Sequence, residues 1–501
     1  MNDLERAIAR VNPRDATAAY NAALNALGQG LEAEGLKLLE EARRYAPGDA
    51  RLWQVSALLH RQLDDLGPAI RLLEKAVRLA PGDALIAHTL ARAHLEAGLP
   101  SVALFQSARR LAPGDPAILL GMVAAVEEEA GPVAAIEALE HLVAANPGWI
   151  AALEMLMRLR WQCGDREGFT ADYQRSLAAD PRNLGLWRSL ILSHIRSDQY
   201  ELGLEAVLRG REQAGNHLFF DANEAVCRAE LGQFDAAETL FARLAEVDDP
   251  TLGVRRVRHF LRTGRPAEAA ALAETMVKTP AAFFFWPYLA TAWRLLGDPR
   301  WQWLEGDPRF VGVYDLALPG LDALAGRLRA LHRTTHQPLE QSVRGGTQTQ
   351  GNLFLRLEPE IRALRSAVVA AVKRHIAQLP PPQPDHPLLG VPRGRRVRFA
   401  GSWSVRLAGG GHHANHIHPA GWFSSALYVA LPEPEAGETE RAGWLTLGVP
   451  QAELGIDLPP IRQIEPKPGR LVLFPSTLWH GTVPFAAGER LTVAFDVARP
   501  A

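Results

Sequence analysis

Asn415-His416-Ile417-His418-Pro419, followed by Trp422-Phe-Ser-Ser-Ala-Leu-Tyr428-Val-Ala-Leu-Pro432, Gly469-Arg-Leu-Val-Leu-Phe-Pro-Ser476, His480 and Glu489-Arg490-Leu-Thr492-Val-Ala-Phe495, are the stretches that decide the reading of this chain. The runs between the histidines are short and rich in β-branched and aromatic residues, as strands are. Residues i and i+2 of an extended segment point to the same side, so His416 and His418 can offer two imidazoles to one ion. His480 on a neighbouring strand can complete a facial set of three. Positions on the ion then stay open, which non-haem Fe(II) needs for a co-substrate and O2, and mixed nitrogen and oxygen ligands suit that metal. Arg490 would bring a planar fork able to grip a carboxylate bidentately. A dicarboxylic keto acid, chelating iron at one end and paired with Arg490 at the other, satisfies all of these residues.

The order His-x-His, Gly-x-Leu-Val-Leu-Phe-Pro-Ser, His and then Arg-x-Thr, with Gly410 ahead of it, resembles the 2-oxoglutarate and Fe(II)-dependent oxygenase superfamily. More narrowly, it resembles a bacterial branch in which His-x-His-Pro stands for the usual His-x-Asp. The resemblance covers residues from about 390 to 501. It implies a double-stranded β-helix (jelly-roll, cupin-like) fold, with Fe(II) on His416, His418 and His480. It also implies 2-oxoglutarate held by Arg490 with Tyr428 as second contact, Ser424 and Thr492 as lesser ones, and O2 as co-substrate. No catalytic residue beyond the metal centre is implied. The chain departs from the family at His418, where a carboxylate is usual, and no Asp or Glu lies between His386 and Pro432 to replace it. Three readings stay open: a three-histidine iron site, a two-histidine site with water in third place as in the aspartyl/asparaginyl β-hydroxylases, and a site that has lost its metal. A neutral third ligand would leave the metal more positive and make the keto acid's own charge count for more.

Ahead of this region a repeat is visible. Prolines at 47, 81, 113, 147 and 181, three of them in Ala-Pro-Gly-Asp, mark a period near 34 residues. That is the period of tetratricopeptide-type helix pairs, proline stopping one helix and Asp capping the next. Gly98, Gly131, Gly164, Gly232, Gly264 and Gly297 fall in a second series, where a left-handed residue would end the first helix of each pair. Apolar stripes such as Leu52 to Leu59 and Ala69 to Val77 have helical spacing. The pattern predicts about eight pairs over residues 1–298, decaying after Asn216, and resembles the tetratricopeptide family. Trp53, Trp161, Trp187 and Trp293 are expected as core residues, and Cys163 and Cys227 as small buried ones.

The expected architecture is therefore an all-α solenoid over 1–298 and an oxygenase-like β domain with supporting helices over 299–501, its core from about 390. Aromatic residues from Trp301 to Tyr314 are expected to pack the two together. The stretch from Pro338 to Gly351 is expected as an irregular lid or substrate loop, with Arg344, Thr347 and, on the following strand, Trp422 toward the substrate. One amphipathic helix is expected from Asn352 to Leu379. Arg393, Arg395, Arg396 and Arg398 are expected as solvated charge on an exposed strand edge.

With 501 residues and a net charge of −2, the chain is long enough for several domains and has no field for nucleic acid or an anionic membrane. Two cysteines exclude a disulfide framework and fit a reducing cytoplasm. Met-Asn-Asp-Leu-Glu-Arg-Ala lacks an apolar signal core, and no run suffices for a membrane helix. The expected function is Fe(II)- and 2-oxoglutarate-dependent hydroxylation of a C–H bond on a peptide or protein bound by the repeats. The rivals are a small biosynthetic intermediate as substrate, or a non-catalytic repeat scaffold with a degenerate barrel; the plainer reading of the repeats is that they only dimerise the chain or prop up the oxygenase.

Overall fold

The structure, a computed structural model, describes residues 3–339, 341–433, 435 and 437–500. Glu340, inside the expected 338–351 loop, lies outside the described residues. Sixteen helices from Ala16–Ala26 to Pro266–Met276 form eight antiparallel pairs, and Ala282–Leu296 closes the array. The Asp of each Ala-Pro-Gly-Asp caps the next helix, Asp83 accepting from Ile86 N and Asp115 from Ala117 N and Ile118 N; each such cap is worth about 1 kcal/mol. The six predicted glycines all take positive φ. The series has two further members that are not glycine, Asp64 at φ 60° and Asp198 at φ 59°, since aspartate tolerates the left-handed region better than most residues.

Among the described residues nine strands form two antiparallel sheets: β1 (Gly312–Asp315), β2 (Val343–Gln348), β3 (Phe399–His413), β4 (Gly421–Ala430), β5 (Leu445–Leu447), β6 (Arg462–Ile464), β7 (Arg470–Pro475), β8 (His480–Thr482) and β9 (Arg490–Ala498). Their orders are β1-β7-β4-β9-β3-β2 and β6-β5-β8, two facing sheets as the expected double-stranded β-helix requires. The outer face of the large sheet, with Phe423, Leu427, Leu471, Val493 and Phe495, packs on Ile361, Leu364, Val368 and Val372 of the helix Pro359–Gln378.

Three expectations are corrected. The stretch from Asn352 is not one helix: Leu353–Leu355 is a single 3-10 turn capped by Asn352, and the α-helix begins at Pro359. Glu358, ahead of that proline, is extended at φ −57° and ψ 136°, because a residue before proline is pushed out of the helical region. The 338–351 stretch is not wholly irregular, since Val343–Gln348 pairs with β3. Nor are three of the four arginines before β3 solvated edge charge, although Arg395 is exposed as expected. Arg396 binds Asp65 Oδ1 at 2.8 Å and Leu63 O at 2.9 Å, Arg398 approaches Glu32 at 3.7 Å, and Arg393 caps the carbonyls of Leu379 and Pro380.

The β domain lies along the row of turns inside the helix pairs. Leu357 N donates to Ala97 O at 3.1 Å, and Arg356 pairs with Glu128 at 2.9 Å. Gly98, at φ 70°, leaves the room that the Arg356 guanidinium fills. Farther along, Thr335 N and His336 N donate to Gln162 O, and the Trp161 indole donates to Gln337 O at 3.1 Å. At the far end Trp479 is buried among Tyr288, Leu289 and Ala292, its indole donating to Thr291 Oγ1 at 3.0 Å and Pro287 O at 3.2 Å. Trp479 directly precedes His480. Trp479→Ala is expected to cost about 3–5 kcal/mol, the range for deleting a large buried aromatic, read as a lowered urea midpoint. A loss below about 1 kcal/mol would mean that this joint is not packed.

Candidate metal centre

The three histidines meet between the two sheets. His416 and His480 exchange backbone hydrogen bonds, N to O at 2.9 and 3.0 Å, and His418 N donates to Ser476 O at 2.9 Å. One ring nitrogen from each of His416, His418 and His480 lies within 4.8 Å of the others. Each Nδ1 has its own acceptor: Ala414 O at 2.8 Å for His416, Leu478 O at 3.0 Å for His480, and Asp496 Oδ2 at 2.7 Å for His418. A carbonyl can only accept, so the proton of His416 and of His480 sits on Nδ1 and the Nε2 lone pair is free. That tautomer and orientation belong to a metal-binding imidazole with an outer partner. Burial first, and neighbouring imidazoles next, hold His416 and His480 far below the usual histidine pKa. Neutral rings at ordinary pH are what a metal requires. Trp403 stacks on His418 at 5.5 Å, and Phe474 backs His480 at 4.6 Å.

Asp496 is the residue that sequence reasoning missed. Its signal was present: Arg490, Thr492, Ala494 and Asp496 alternate along β9, and all line the same chamber. The carboxylate absent from the position of His418 is thus supplied behind it, one hydrogen bond from the ring. Ser424 Oγ donates to Asp496 Oδ1 at 2.6 Å, so Ser424 supports that carboxylate.

The chamber, about 40 Å³, runs from the histidines to Arg490. Arg490 is 2 % exposed and donates through Nη1 to Gly443 O at 2.7 Å. Its guanidinium lies 5.0 Å from the centre of the Tyr428 ring. Neither Arg490 Nε nor Tyr428 Oη has a hydrogen-bond partner among the described residues. Burial lowers the Arg490 pKa and raises that of Tyr428, the latter opposed by the Arg490 charge. A buried cation with an idle donor beside an idle hydroxyl is costly unless something occupies the space. A carboxylate fits both, and three imidazoles with converging ring nitrogens fit a divalent ion.

Other sequence candidates fall elsewhere. Thr492 lines the chamber, its hydroxyl 3.5 Å from Val405 O. Trp422 does not face the chamber. A bulge between Gly421 and Phe423 in the β4–β9 pairing breaks the alternation, so the indole enters the core and donates to Leu388 O at 3.0 Å. Thr347 also points away, bonded to His332 Nδ1 at 2.7 Å. Arg344 lines a separate cleft of about 560 Å³ between the repeats and the sheets, which opens on Asn415 and His416. His413 Nδ1 lies 3.0 Å from Ser342 Oγ and its ring 6.1 Å from that of His416, beside the centre.

The sequence profile of a family described as "Putative 2OG-Fe(II) oxygenase" matches residues 401–496, which hold all three histidines and Arg490. Among curated proteins none matches the chain. Solved tetratricopeptide proteins are similar to the helical part. MamA 41-end from Desulfovibrio magneticus RS-1 has 17% identity over 34% of this chain and 97% of that one, with a TM-score of 0.30. YrrB, titled a TPR protein with an unusual peptide-binding site, has 16% identity over 37% and 96%, with a TM-score of 0.29. A repeat protein from Parabacteroides merdae ATCC 43184 has 12% over 45% and 89%, with 0.32. Residues 401–496 are thus similar to a 2-oxoglutarate/Fe(II) oxygenase domain, and the paired helices lie ahead of them.

Asp496→Asn, which keeps the shape and removes the charge, is expected to weaken Fe(II) or Ni(II) binding about 10- to 100-fold, the usual effect of losing an outer-shell carboxylate. Titration against a chromophoric chelator checks it. Unchanged affinity would mean that Asp496 does not act through His418.

Proposed function

We propose that the protein is an Fe(II)- and 2-oxoglutarate-dependent dioxygenase that hydroxylates a C–H bond of a peptide or protein. The observation that carries this is the convergence, on one chamber, of three imidazoles with ring nitrogens close to one another and a buried arginine with an idle donor. His416, His418 and His480 would hold the iron through Nε2. Arg490 would bind the far carboxylate of 2-oxoglutarate, with Tyr428 Oη as a second donor. When bound, iron and keto acid together supply the oxygen-activating chemistry; the side chains orient the ligands and keep bulk water out.

Asp496 supports the three-histidine form. A carboxylate hydrogen-bonded to His418 fixes the orientation of that ring and returns negative charge to the centre. It offsets part of what a neutral ligand forgoes. Arg490 serves better than lysine would, because its fork matches a carboxylate and stays charged when buried. The peptide reading is supported by the cleft, one wall of which comes from the repeat helices and the other from the β domain beside His416.

Purified protein given Fe(II), ascorbate and 2-oxoglutarate is expected to release succinate above background, and His480→Ala to release none. Absence of both succinate and iron uptake in the parent protein would sink the proposal. Arg490→Lys is expected to raise the KM for 2-oxoglutarate about ten-fold or more, the size of one lost charged hydrogen bond, with metal affinity kept. An unchanged KM would remove Arg490 from the keto-acid site.

A further inference from the structure

The cleft that opens on His416 has a charge imbalance that the oxygenase reading does not use. Arg166, Arg196, Arg255, Arg258 and Arg344 line it, against Asp198 and Glu453 among the described residues. Behind the wall, Glu230 is already shared by Arg255, Arg258 and Arg262 at 3.5, 3.1 and 2.7 Å. Arg258 is 8 % exposed, and its Nε lacks a partner among the described residues. Arg344 donates through Nη1 to Gln341 O at 2.7 Å and Val343 O at 3.2 Å, and the one carboxylate it meets among the described residues is Asp198, at 3.5 Å with both side chains open to solvent, a pair worth little.

Two of these cations belong to different domains and share one space. Arg166 comes from the repeats, held over the Trp161 ring at 4.0 Å, while Trp161 is tied to Gln337 O. Arg344 comes from β2, one residue from Val343, which pairs with His413 beside the metal centre. Burial, and then the charge of Arg344, lower the Arg166 pKa. Two guanidiniums lining one cleft repel unless an anion joins them.

We infer that the substrate is an acidic peptide segment whose Asp or Glu carboxylate binds between Arg166 and Arg344, so that a neighbouring residue reaches the metal face of His416. This rests on the reading of the chain as a peptide hydroxylase and adds the class of peptide. The cleft exceeds the keto-acid chamber, about 560 against 40 Å³, and lies in the range that holds an extended ligand. The repeats then serve as one wall of the substrate site, and docking of the β domain along their turns is what brings Arg166 to it.

A degenerate peptide array tests this by binding alone, with labelled full-length protein carrying Ni(II) and 2-oxoglutarate. Pools fixed with Asp or Glu are expected to retain the protein about ten-fold better than pools fixed with Lys. The preference should survive Arg166→Lys/Arg344→Lys, and vanish or invert in Arg166→Glu/Arg344→Glu, whose folding is checked by its melting curve. No acidic preference in the parent protein, or the same preference in the Glu double variant, overturns the inference. Free glutarate is the second arm: elution of the protein from every acidic pool by low millimolar glutarate would assign the cleft to a small acid and overturn the peptide assignment. Because the array needs no turnover, failure to make succinate would count against the oxygenase reading and leave this result standing.

Discussion

The site depends on one constraint: every imidazole of the trio has its Nδ1 committed elsewhere. Two are tied to backbone carbonyls two residues upstream, Ala414 for His416 and Leu478 for His480, so the local turn fixes each ring. The third is tied to Asp496 across the sheet. The free nitrogens have one direction left, toward each other. That convergence suits an ion, which each ring can meet with the nitrogen that its backbone or carboxylate partner leaves free. The exchange of backbone hydrogen bonds between His416 and His480 holds two of them there.

From that centre the architecture extends outward through single contacts. Arg490, Thr492, Ala494 and Asp496 place the distal carboxylate site and the support for His418 on one face of one strand. Trp479, next to His480, is buried in the last repeat helix, so packing of the solenoid bears directly on a centre residue. Along the rest of the joint the contacts fall on the turns within the helix pairs, at Asp65, Ala97, Glu128, Gln162 and Asp198. The repeats are therefore fixed beside the centre, and their contribution to substrate choice is read from the cleft wall they form.

Much of this was legible in the sequence where a residue type has one backbone consequence. Proline, glycine and Asp at a 34-residue spacing gave the helix pairs, because each restricts φ or caps an end in a way few residues can. The same logic failed where another residue served: Asp64 and Asp198 hold the left-handed turn without being glycine. Alternation gave Arg490 and the histidines but misplaced Trp422, since one bulge reverses a strand's faces. Arg396 and Arg398 could not be assigned from sequence, because their partners, Asp65 and Glu32, lie more than three hundred residues earlier. Asp496 was legible by counting in twos from Arg490, though the search for an acid near His418 in sequence overlooked one near it in space.

The central claim is that three imidazoles, and not two, bind the iron. X-ray absorption of the Fe(II)-loaded protein tests it most directly, through the scattering from imidazole rings around the metal. The account predicts three rings in the parent protein and two in His418→Ala, with 2-oxoglutarate adding oxygen ligands and displacing no ring. Two rings in the parent protein, unchanged in His418→Ala, would contradict it.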